Sequence, residues 1–177
     1  MNRTTKLWIA TAAVAFAAIA GAAVGAQDKY ALVSPSGVAF ADFKGYEDWA
    51  VVSSAKTDVL KVIVANPIMI KAYKAGIPGN GQPFPDGAKI AKLQWKPKKS
   101  TDAPFDVDVP DVFTQAFLME KDSKRFPKSG GWGYALFNYS ASNDTMTVDP
   151  TGVSDCGHAC HVKVADKNYI FHPYQKR

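Results

Sequence analysis

The sequence predicts an α+β fold, predominantly antiparallel β-sheet with a few short helices. Three observations carry that expectation. Short runs of β-branched and aromatic residues recur between Gly, Pro, Asn and Asp turn signals. One internal segment carries both a helix start signal and a stop signal. No internal repeat or linker divides residues 27–177, so one domain is expected there.

The chain has 177 residues, 47% hydrophobic and 21% charged, which is the balance of a globular protein and excludes wholesale disorder. Its formal charge of +5 is spread out, with no run of five like charges, and this argues against a nucleic-acid partner. Two cysteines exclude a disulfide-rich scaffold. A single long apolar stretch excludes a multi-span membrane protein.

That stretch is N-terminal. Arg3 and Lys6 form a positive start, Leu7 to Val24 is apolar and Ala-rich, and Val24-Gly25-Ala26 supplies small residues for cleavage before Gln27. Residues 1–26 therefore read as a signal peptide, with an uncleaved anchor helix as the alternative. Export to the periplasm is expected, an oxidising compartment.

Residues 27–44 read as an extended lead-in, with turn signals at Pro35 and Gly37. Tyr46 to Ser54 is amphipathic over too short a span to separate helix from strand. Lys61 to Ala65 is β-branched and reads as a strand. Asn66-Pro67 is an N-cap with Pro at the first helical position, and the helix that follows ends at Gly76. Gly76 to Gly87 is a loop closing on the turn Pro85-Asp86-Gly87. Ala88 to Trp95 alternates imperfectly, as a strand with a bulge does. Val112 to Glu120 and Trp132 to Tyr139 are further strands, separated by the charged turn Asp122 to Phe126 and by Gly130-Gly131. Residues 140–155 are polar and turn-rich.

The last 22 residues hold both cysteines and all three histidines. The segment Cys156-Gly157-His158-Ala159-Cys160-His161 places an imidazole beside the second of two thiols. Covalent haem attachment needs that arrangement, because two thiols add to the two vinyl groups and the histidine reaches iron from one face. The usual spacing has two residues between the cysteines, and here there are three. A disulfide, a zinc site formed with His158, and free thiols are the other readings of the same residues. His158 reads as a solvated side chain of the loop, and His172 as a surface or packing residue.

Five pieces of the chain, in order, resemble the cytochrome P-460 family. They are Gly45-Tyr46-Glu47-Asp48-Trp49; Val64-Ala65-Asn66-Pro67 with its short helix; Pro85-Asp86-Gly87-Ala88 with the strand to Trp95; Asp122 to Phe126 followed by Trp132-Gly133-Tyr134; and Cys160-His161 followed by Tyr169-Ile170-Phe171. The resemblance implies an exported c-type cytochrome, often dimeric, with one covalent haem packed against the sheet and an open sixth iron site. It implies that Cys156 and Cys160 carry the thioethers and that His161 is the axial ligand. A lysine crosslinked to haem in some members lies six positions past the turn Asp, which gives Lys92, with Lys89 and Lys96 as competitors.

Two activities go with the resemblance. One is oxidation of hydroxylamine or nitric oxide, with electrons passed to a soluble partner. The other, in the related cytochromes c prime beta, is binding of small gases or electron transfer without catalysis. The resemblance puts an acidic residue of the oxidising members seven positions after the axial histidine; here that position is Asn168, a distal candidate able only to hydrogen-bond. Asp166 lies two residues away.

Overall fold

A computed structural model describes residues 27–152 and 157–175. The first 26 residues and Cys156 lie outside the described residues, so the cleavage site and the first thiol of the haem motif are expectations from sequence alone.

Six strands form one antiparallel sheet in chain order: β1 (Ala50–Lys56), β2 (Leu60–Ala65), β3 (Lys89–Lys99), β4 (Asp108–Lys121), β5 (Trp132–Ser140) and β6 (Thr145–Val148). The expected α+β architecture is the one observed. Each strand pairs with its sequence neighbour, so every link but one is a short turn or loop. The exception, between β2 and β3, carries helix α1 (Pro67–Lys74).

Helix α1 starts where the sequence places it. The Asn66 side chain accepts a hydrogen bond from Met69 N at 3.0 Å, and Pro67 opens the first turn. Asn66 also ties the helix to the sheet, accepting from Lys89 N at 3.1 Å and donating to Gly87 O at 2.8 Å.

The ambiguous stretch from Tyr46 resolves into a 3₁₀ turn, Tyr46–Asp48, followed by β1. Strand β6 lies in the segment that reads as turns, because four residues with only Met146 buried leave almost no periodic signal. Strands β3 and β4 run longer than expected. Pro97 and Pro110 would each interrupt a strand, but they face one another across the pair, out beyond the reach of β2 and β5. The imperfect alternation near Trp95 is a register shift between Gln94 and Trp95.

Strand alternation sorts the core onto the two faces. On one face Val64, Ala91, Leu118, Ala135 and Phe137 pack under Val38, Phe40 and Phe43 from the lead-in segment, which is not extended throughout but holds the 3₁₀ turns Lys29–Ala31 and Phe40–Phe43. On the other face Ala65, Ile90, Met119 and Tyr134 stand in one cross-strand row, under α1, Phe84 and Ile170. The adjacent row on that second face is Ile63, Lys92, Phe117 and Leu136. The chain leaves β6, touches β5 at Gly152, and returns to β5 at Gly157. It then forms the short helix α2 (Ala159–His161), a 3₁₀ turn (Val162–Lys167) and a C-terminal tail across the second face. Among the described residues no helix is long and apolar enough to cross a membrane.

Candidate functional site

The second face carries a cavity of about 140 Å³. Ile63, Ile90, Lys92, Phe117, Met119 and Tyr134 form its sheet wall, while His161, Phe171 and His172 close it from the C-terminal segment. Lys92 and His161, 69 positions apart in sequence, therefore line one space.

His161 ends α2 and is largely shielded from water. Its Nδ1 lies 2.6 Å from the Tyr169 carbonyl oxygen. A carbonyl only accepts, so Nδ1 carries the proton and Nε2 keeps a lone pair for a metal. The ring packs edge-on to Phe171 at 4.8 Å and beside Tyr134 at 5.2 Å between centroids. Burial lowers the His161 pKa, the Tyr169 carbonyl opposes that, and the charges of Lys92, His158 and His172 push it lower still. The imidazole is thus neutral at physiological pH, the form that ligates a metal. A second residue that orients a ligating histidine through its other ring nitrogen is the usual support of such a ligand, and Tyr169 supplies it through main chain.

Cys160, one position before His161, is a free and exposed thiol. Gly157 sits flat on β5: a Cβ there would come within 2.6 Å of the Tyr134 Cβ. Gly152 is equally confined, with Leu136 Cβ 2.3 Å from where its own Cβ would stand. The two glycines therefore press both ends of the intervening segment onto the strand that bears Tyr134 and Leu136.

Lys92 stands in the cavity wall with Nζ 3.6 Å from the centre of the Phe117 ring. The competing lysines lie elsewhere. Lys89 points to the first face, donating to Asp42 O at 2.5 Å and pairing with Glu120 at 3.8 Å, and Lys96 is exposed.

Asn168 is not among the residues lining the cavity. It ends the Val162–Lys167 turn in the left-handed conformation, with φ +55°. Its Oδ1 lies 3.5 Å from Phe84 N and its carbonyl accepts from the Trp132 indole at 3.1 Å. Asp166 is exposed. His158, expected in solvent, is half-buried between Tyr134 and Tyr169, with ring centroids 6.2 and 6.0 Å away. His172 is exposed but lines the cavity, and its carbonyl accepts from Tyr73 OH at 3.3 Å. No cluster of three or more His, Cys, Asp and Glu side chains among the described residues is arranged to hold a bare metal ion.

Sequence reasoning missed Tyr134, Tyr169 and Phe171 as parts of the site. Tyr134 was accessible through strand alternation, being in phase with the buried Trp132. The Tyr169 carbonyl left no trace in the sequence, because any residue offers a carbonyl.

A model of the cytochrome P460 family matches residues 43–172, which spans every wall of this cavity. The chain belongs to the cytochrome P460 family. Membership implies a haem cytochrome, and the donor set fits that group: a neutral imidazole with a fixed tautomer, a thiol beside it, and a largely apolar wall. No curated protein sequence matches the chain.

Proposed function

We propose that the chain is an exported c-type haem protein that binds small nitrogen ligands such as nitric oxide. The observation that carries this is His161, a neutral imidazole whose Nδ1 is held on the Tyr169 carbonyl at the edge of a largely apolar cavity. His161 would hold the iron from one side, with Cys160 and Cys156 fixing the macrocycle through thioethers. Haem held there would supply an iron centre able to take a small ligand. The protein orients the axial imidazole, keeps water out with Ile63, Ile90, Phe117 and Met119, and brings the Lys92 ammonium to the wall.

Among the described lining residues there is no carboxylate. Removal of protons from hydroxylamine calls for a general base worth roughly 10²–10⁴-fold, so gas binding is favoured over hydroxylamine oxidation. The oxidising reading is supported by one observation, the presence of Lys92 in the wall, where it could meet a bound macrocycle. A soluble electron acceptor and a second copy of the chain are the partners that reading calls for.

The test is expression with a signal peptide in a periplasm equipped to attach haem. The mature chain should begin at or near Gln27, and haem should stay with the band on a denaturing gel. Ferrous protein should bind carbon monoxide and nitric oxide with a clear optical change, and His161→Ala should lose the native spectrum. Intact mass reports haem stoichiometry, and a red-shifted band lost in Lys92→Arg would reveal a crosslink. A colourless protein from a strain that matures other c-type cytochromes would refute the reading.

A further inference from the structure

The Tyr134 hydroxyl is an anomaly. The residue is 4% exposed, and its oxygen is buried with no hydrogen-bond partner among the described residues. Buried hydroxyls are nearly always paired, since leaving one unpaired costs about 1–3 kcal/mol. The strand does not need a tyrosine for packing alone: Phe would fill the same space in the row of Ala65, Ile90 and Met119 without that cost.

Three further facts locate what the hydroxyl is for. Tyr134 lines the same cavity as His161 and Lys92. Its ring lies 5.2 Å from that of His161. Its backbone is pinned at both edges, where Gly157 packs on its Cβ and Ser36 Oγ donates to its carbonyl at 2.8 Å. These contacts hold the residue against its neighbours on the sheet. A phenol keeps its proton at physiological pH, so the group is a donor there.

We propose that Tyr134 is a binding residue whose hydroxyl donates a hydrogen bond to an oxygen acceptor of whatever occupies the cavity. Two sources offer that chemistry under the haem reading above: a carboxylate of the macrocycle, or an oxygen of the iron-bound ligand. His158 Nδ1, also buried and unpaired, is the rival acceptor within the chain.

The experiment compares haem-loaded wild type, Tyr134→Phe and His158→Phe by resonance Raman and infrared spectroscopy, ligand-free and with carbon monoxide or nitric oxide. A haem carboxylate as partner shifts the carboxylate modes of ligand-free Tyr134→Phe, with the bound-ligand stretch unchanged. An iron-bound ligand as partner shifts that stretch alone, and weakens ligand binding roughly three- to tenfold, the worth of one hydrogen bond. Either result supports the proposal. Superimposable spectra of Tyr134→Phe and wild type in every state overturn it, and so do changes that His158→Phe reproduces in full. Since every arm begins with haem-loaded protein, absence of haem would count against the functional reading and not against this assignment. If Tyr134→Phe fails to fold, Tyr134 carrying a 3-fluoro substituent, with its more acidic phenol, must shift the same bands.

Discussion

Asn168 holds a left-handed backbone, φ +55° and ψ 38°, at the end of a helical turn, a conformation that Gly and Asn tolerate and β-carbon-bearing residues resist. Its amide oxygen faces Phe84 N and its carbonyl holds the Trp132 indole. The physical reason for an asparagine here is the backbone. Asn168→Gly should leave stability within a few tenths of a kcal/mol, while Asn168→Ala should cost about 1 kcal/mol or more, both read from urea unfolding. Asn168→Asp should leave hydroxylamine turnover of the haem-loaded protein unchanged. A rise of roughly a hundredfold, the least a general base supplies, would put that side chain beside the iron. The sequence offered the residue and its distance from His161, but distance along the chain does not say on which side of a ligand a side chain stands.

Elements with a local physical cause were the legible ones. Asn66-Pro67 specifies a helix start through one side-chain acceptor and one fixed φ, and helix α1 begins there. Strands β2, β4 and β5 declare themselves by β-branched and aromatic runs. Strand β6 and the outer ends of β3 and β4 did not, because each is decided by its partner strand and not by its own residues. Asn66 is also where two elements meet. Its side chain is buried and makes three bonds, to Met69 N, Lys89 N and Gly87 O. Asn66→Ala removes a cap and strands two backbone groups, so it should destabilise by about 2–4 kcal/mol, visible as a lowered urea midpoint. Asn66→Asp keeps the two acceptor bonds and should recover most of the loss. Equal loss in both variants would show that the bond to Gly87 is the one that matters.

Across the whole molecule, three hydrogen-bonded or ion-paired aspartates contribute to stability on the acid side. Hydrogen bonds from Ser123 lower the Asp86 pKa, hydrogen bonds from Thr151 lower that of Asp149, and the Lys56 and Lys99 ammonium groups lower that of Asp108. Each folded value lies below the ordinary 3.8, so the contribution is present in full above that pH and is lost as pH falls through the folded values. Glu120 works in the opposite sense. Burial raises its pKa despite the Arg125 guanidinium at 2.6 Å, so its contribution fades as pH rises through the folded value. The urea midpoint should therefore hold steady near neutrality and drop on acidification below about pH 4. A midpoint that rises on acidification would mean that Glu120 outweighs the three aspartates.

The order of the chain gives the cavity a history. Every strand precedes His161, and the sheet is a meander in which each new strand docks on the one just made. A nascent chain emerging N-terminus first can complete the sheet and the first face of its core before the histidine and cysteines arrive. The wall with Ile63, Lys92, Phe117 and Tyr134 is then a finished template, and the tail from Gly157 is laid across it last. Any machinery that modifies the thiols then meets a sheet already formed. Premature termination after Val148 would release a fragment with the whole sheet and none of its chemistry, an apolar trough open to water and a ready substrate for quality-control proteases.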